Sequence, residues 1–208
     1  MKSNVCKIEN GIQDLDAILK ESEKVAAYNE LNHKQTLQLR LLCEEIDGML
    51  PKIINGFDGD FWIEFENGVC KINVSVELDR FTADKKKDLI AIAKNKKNAA
   101  AVGIGGKIRS VLEDVFLDEG ISRNLHVTVD SFHIATAYSV GADCSYLWSL
   151  RNYKNTIDKE ENSEDFDELE KSVIASVADD VIVGVKGRRA DIVIVKKFTK
   201  EQENEDRT

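Results

Sequence analysis

Apolar positions recur at helical spacing in some stretches of this chain and alternate at strand spacing in others. The most regular helical stretch runs from Asn32 to Ile54, where Leu37, Leu41, Leu42, Ile46, Met49, Leu50 and Ile53 follow three- and four-residue steps. Asn32 and Gln35 supply the reciprocal cap that opens such a helix. On this pattern Glu45 and Asp47 point away from the apolar stripe and Glu44 lies nearer its margin. Pro51 kinks the last turn or starts a terminal one, and the run NGFDGD closes the segment. An earlier helix, from about residue 11 to residue 30, is marked by Ile12, Leu15, Ile18, Leu19, Val25 and Ala26.

Strand spacing begins at Phe61. FWIEFE and VCKINVSVEL alternate on either side of Asn67-Gly68, a dipeptide that accepts the positive φ values of a two-residue hairpin turn. Cys70, Ile72, Val74, Val76 and Leu78 share one face, Lys71, Asn73, Ser75 and Glu77 the other, so the pattern predicts one buried and one solvated sheet face. Helical spacing returns near Ala83–Asn95, and again in KIRSVLEDVFLDEG, where Ile108, Val111, Leu112, Val115 and Phe116 form a stripe that Gly120 ends. LHVTV, FHIATAYSV and SYLWSL read as strands. An exposed acidic loop at Asp158–Asp165 and a helix at about Phe166–Ser176 follow, then a hairpin turning at Lys186–Arg189. In its second strand either Ile192 and Ile194 or Val193 and Val195 face the core.

This order predicts an α+β chain: a two-layer α/β sandwich with helices packed on one face of a mixed, mainly antiparallel sheet. It divides into an N-terminal helix (1–31), one domain (32–198) and a disordered acidic tail (199–208) too polar to pack.

Composition narrows the class. Of 208 residues 32% are charged and no apolar run is as long as a bilayer is thick, which excludes a membrane-spanning segment. The N-terminus lacks the apolar centre of a signal peptide, which places the protein in the cytoplasm. A formal charge of −9 argues against nucleic acid as a partner. The basic clusters at Lys85–Lys87 with Lys94, Lys96 and Lys97, and at Lys186, Arg188 and Arg189, read as a helix face and a hairpin tip. Cys6, Cys43, Cys70 and Cys144 are too dispersed for a zinc cage or a disulfide framework, and Cys43 and Cys70 fit as small buried hydrophobes. His33, His126 and His133 stand beside no Ser or Cys nucleophile and read as structural.

One stretch suggests a ligand. Gly103-Ile-Gly-Gly106-Lys107 reads as a loop before a helix, where glycines admit a close approach and free N–H groups favour a phosphate. The alternative for the same residues is a tight turn packed against the sheet.

An acidic helix carrying E-E-x-x-G, a hairpin followed by Asp, a basic interval, a G-x-G-G stretch opening a helix and a final hairpin together resemble the GHKL superfamily of ATP-binding domains, shared by histidine kinases, gyrase, heat-shock chaperones and mismatch-repair proteins. The small stand-alone anti-sigma-factor-kinase type is the nearest in flavour. The resemblance implies ATP and Mg2+ as cofactors. It assigns Glu44 or Glu45 to orienting the attacking water, Asp79 to the adenine amino group, and Gly103, Gly105, Gly106 and Lys107 to the phosphates, with residues 80–102 as a lid. Where the family holds magnesium with Asn, this chain has Gly48 or Met49, which leaves Asp47 as the substitute oxygen ligand; no glycine follows Asp79 in Arg80-Phe81-Thr82. Two expectations result: a nucleotide-binding regulatory protein, an ATPase or protein kinase if active; or a degenerate domain of that fold acting in protein interaction or homodimerisation.

Overall fold

The computed structural model describes residues 1–9, 15–54, 57–78, 103–117, 146–157, 172–186 and 188–199. The expected helix at 83–95, the lid at 80–102, the strands at 125–140, the acidic loop at 158–165, Asp79, Gly120, His126, His133 and Cys144 lie outside them, as does the tail from residue 200. The described elements are β1 (Cys6–Glu9), α1 (Leu15–Tyr28), α2 (His33–Ile53), β2 (Phe57–Glu66), β3 (Val69–Leu78), α3 (Gly103–Leu117), β4 (Tyr146–Ser149), α4 (Leu150–Ile157), α5 (Val173–Val177), β5 (Asp180–Lys186) and β6 (Arg189–Lys197).

Six strands form one sheet in the order β1-β2-β3-β6-β5-β4, and each neighbouring pair is antiparallel. Among the described residues the sheet is therefore antiparallel throughout rather than mixed. The β2–β3 turn is the one Asn67-Gly68 predicts, with φ of 50° and 76° at the two residues. Strand β2 starts at Phe57, paired with Leu78, so part of the run expected to close the helix segment is already sheet. Residues 1–9 also enter the sheet: β1 pairs with β2, Ser3 N–H donates to Ile63 O, Ile63 N–H donates to the Ser3 hydroxyl, and Phe65 N–H donates to Met1 O. This strand escaped the periodicity reading because four residues are too few to establish alternation.

One row of the ladder crosses all six strands: Cys6, Phe61, Val74, Ile192, Val183 and Trp148. These side chains face the helices and join Ile18, Val25, Leu39, Leu42, Ile46, Leu50, Ile108 and Ile174 in one apolar cluster, with Cys6 and Trp148 at its margin. The neighbouring row, Trp62, Asn73, Val193, Ile182 and Ser149, faces the other way. That second face is not simply solvated as expected: Asn73, Ser149, Ile182, Val193 and Val195 are buried. Its centre is apolar because VIVGV and DIVIV are continuous rather than alternating runs, the pattern of strands buried on both sides. Both candidate sets in the last strand are therefore used, Ile192 and Ile194 on the helix side and Val193 and Val195 on the other.

Helices α1 and α2 form a short-loop antiparallel hairpin, joined across their flanks by Arg40 Nη1 and Glu23 Oε1 at 3.1 Å. The cap of α2 is the predicted one: Gln35 N–H donates to Asn32 Oδ1 at 2.9 Å, and Asn32 N–H donates to Gln35 Oε1 at 3.1 Å. Strand β4 ends one residue before the expected segment does. Asp180 of β5 receives the Ser149 hydroxyl at 3.0 Å, Arg151 N–H at 3.1 Å and Val181 N–H at 2.8 Å, which caps α4 across the sheet edge.

Candidate functional site

The acidic turn of α2 is divided by the helix itself. Residues four apart share a face and residues two apart, at about 100° per residue, are nearly opposite. Glu45 therefore lies on the flank of Met49, and Asp47 lies on the far side from Met49. Met49 and Ile53 form the flank that receives α3: a Cβ on Gly105 would stand 3.2 Å from Met49 Sδ and 4.0 Å from Ile53 Cγ1. Gly105 thus provides the close approach of two helices at their contact.

The glycines do not form a loop. Helix α3 starts at Gly103, whose φ is 76°, so Ile104, Gly105 and Gly106 are its first turn. Ile104 and Ile108 are fully buried and anchor that turn to the core. The signal was present in the sequence, since Ile104 stands four residues before Ile108 and extends the stripe of Ile108 and Leu112 backwards. Lys107 turns towards α4, its Nζ 4.8 Å from the centre of the Tyr153 ring. Tyr153 in turn packs against Trp148 with ring centres 6.0 Å apart. The aromatic pair was not expected near the glycine segment; its sequence trace is SYLWSL, which reads as a strand, with Arg151-Asn152-Tyr153 directly after it.

The carboxylates differ in how they are satisfied. Glu44 accepts from Arg40 Nε at 3.0 Å, and Arg40 also holds Glu23. Glu45 is half-buried, and its carboxylate is in no hydrogen bond or ion pair among the described residues. Asp47, expected on the outer face, is 7% exposed, with Cys43 and Leu50 buried one turn to either side. Its misplacement has a geometric cause. The stripe actually used is Leu39, Leu42, Cys43, Ile46 and Leu50, whereas Leu37 is 51% exposed and Leu41 is half-buried, so the true stripe is rotated towards Asp47.

Asp47 Oδ1 is buried without a hydrogen-bond partner among the described residues, and burial pushes its carboxyl above the usual carboxylate value. Two other buried carboxylates are satisfied. Asp180 has its cap donors, and Glu21 accepts from Lys24 Nζ at 2.6 Å and from Asn4 N and Nδ2 at 3.0 and 3.1 Å, which holds its carboxyl below the usual value despite burial. Asp60 Oδ1, which also lacks a well-directed hydrogen bond, is ion-paired with Lys7 at 2.6 Å. The thiols are buried as expected; burial pushes Cys70 up to about 12 and Cys43 well above the usual thiol range, which makes both poor nucleophiles.

The candidate site is thus the seam of α2 and α3. It brings Gly105 against Met49 and Ile53, with Glu45 one helical turn before Met49, and Lys107 turns aside to Tyr153. It does not include Asp47 on the far flank or Glu44, which is bound to Arg40; Asp79 is not among the described residues. The magnesium set does not fit here. The residue four beyond Glu45 is Met49, a thioether where a hard cation takes oxygen, and no group of three or more His, Cys, Asp or Glu is placed to hold a metal among the described residues. Among the same residues no helix is long and apolar enough to cross a membrane. Comparison with protein-family models, curated proteins and solved structures finds no match to the chain.

Proposed function

We propose that this chain is a nucleotide-binding regulatory protein of the histidine-kinase-like ATP-binding fold, with the polyphosphate of ATP lying along the first turn of α3. What carries the reading is the contact of Gly105 with Met49, one helical turn from Glu45. It sets an acidic helix beside the N-terminus of a glycine-opened helix, the pairing that the resemblance requires. The free N–H groups and positive end of a helix favour a phosphate. The aromatic pair Trp148 and Tyr153 closes the side towards which Lys107 is drawn. In this reading Asp79, directly after β3, takes the adenine amino group. The protein binds and senses nucleotide; no magnesium-dependent step is assigned to the residues of the seam.

A second reading, a non-catalytic module of the same fold serving protein interaction or dimerisation, is favoured by one observation: Met49 fills the metal-ligand position and packs against Gly105. Titration with ATP, with and without magnesium, separates the two. At a hundred times the dissociation constant the ligand adds about 2.7 kcal/mol to the stability. For a chain of this length that raises Tm by roughly 5–11 °C, and Asp79→Ala should reduce the shift. No shift at millimolar ATP removes the first reading.

A further inference from the structure

Three choices within five consecutive residues of α2 oppose a stable helix where packing does not ask for them. Gly48 is exposed, and a Cβ added to it would meet nothing within 4 Å among the described residues, which therefore give the helix no steric need for glycine there. Pro51 lies inside the helix and lacks the N–H that the carbonyl of Asp47 would otherwise accept. Asp47 buries a carboxylate oxygen that has no hydrogen-bond partner among the described residues. The segments on either side are well held. Upstream are the reciprocal cap, the Arg40–Glu44 pair and the buried residues Leu39, Leu42, Cys43 and Ile46. Downstream, Ile54 N–H donates to Leu50 O at 2.9 Å and closes the last turn, and Ile53 meets Gly105, as Met49 does from within the five residues.

We propose that Asp47–Pro51 is a hinge in α2, at which the last helical turn and the first turn of α3 seated on it tilt together relative to the sheet. Gly48 and Pro51 are both exposed, so the helix bends on its solvent side, where freed carbonyls turn to water. The tilt also brings water to Asp47, which gives the buried carboxylate a stake in the open form. Because Glu45 precedes the hinge and α3 follows it, the tilt sets the width of the seam between them. The hinge itself stands on α2 and α3 alone; its use in admitting nucleotide rests on the function proposed above.

Residue-resolved amide hydrogen exchange of the full chain tests it. Wild-type amides of Met49, Leu50, Lys52 and Ile53 should exchange at least about tenfold faster than those of Leu42–Ile46. Gly48→Ala should slow them about fivefold, the Gly-to-Ala helix preference of ~1 kcal/mol expressed as a rate ratio. The amides of Lys107 and Ile108 should slow with them while those of β2 and β3 do not change. Equal protection on both sides of Gly48 overturns the hinge. So does slowing confined to α2, which is end fraying, or slowing spread equally over the sheet, which is global stabilisation. If the fast exchange is present but ATP leaves it unchanged, the hinge stands and the nucleotide reading fails.

Discussion

Asp47→Asn should stabilise the protein at neutral pH, which reverses the usual effect of altering a buried residue. The substitution keeps shape and volume while removing the charge. In the folded chain Asp47 is 7% exposed, its Oδ1 has no hydrogen-bond partner among the described residues, and burial raises its carboxyl above the ordinary 3.8. Between that ordinary value and the raised one, the folded state therefore holds a proton that the unfolded chain has already released. Wild-type stability falls as pH rises from about 3.8 through the raised value, and the full penalty persists above it. An unsatisfied buried polar group costs about 1–3 kcal/mol. The asparagine amide is itself polar and retains part of that cost, so the expected gain is about 1 kcal/mol, or ~2–4 °C in Tm. Urea denaturation of both proteins from pH 4 to pH 8 measures it. The difference should be small at pH 4 and grow to a plateau. A variant less stable at pH 7, which requires a partner for the carboxylate, or a difference independent of pH, which requires the carboxylate to titrate alike in the folded and unfolded chain, would refute the assignment.

Two further predictions concern contacts that position the seam. Asp180→Ala removes the acceptor for the Ser149 hydroxyl and for Arg151 and Val181 N–H, and should cost about 2–3 kcal/mol in urea denaturation; Ser149→Ala, which removes one of those donors and the hydroxyl acceptor for Asn152 N–H but leaves the two backbone donors to Asp180, should cost about 1 kcal/mol. Gly105→Val forces a branched side chain onto Met49 and should cost about 1–3 kcal/mol. Adding Met49→Ala should recover part of that loss, and additive effects of the two substitutions would show that the helices do not touch there.

The α2 cap, the Asn67-Gly68 hairpin and the final hairpin were legible because each depends on neighbours within a few residues. Asn32 finds Gln35 three positions on, and Asn67-Gly68 selects its own turn. The helical nature of Gly103–Gly106 was legible in principle, since Ile104 extends the stripe of Ile108, but glycine's low helix propensity outweighed that signal. The burial of Asp47 was not legible. Leu37 and Leu41 are as apolar as Leu39 and Leu42, and only the direction from which α1 and the sheet approach decides which pair is covered.

For the candidate site the division is the same. The acidic turn of α2 and the glycines of α3 are written in the sequence as two separate stretches, with residue types suited to charge and to close approach. Their meeting at Met49 and Gly105, the burial of Asp47, and the turn of Lys107 towards Tyr153 were decided by tertiary structure. Local hydrogen bonding and periodicity determine where a helix begins and which residues share its faces. The partner each face meets depends on contacts between residues far apart in the chain, where many apolar pairings are chemically equivalent and only the packing of the whole core distinguishes them.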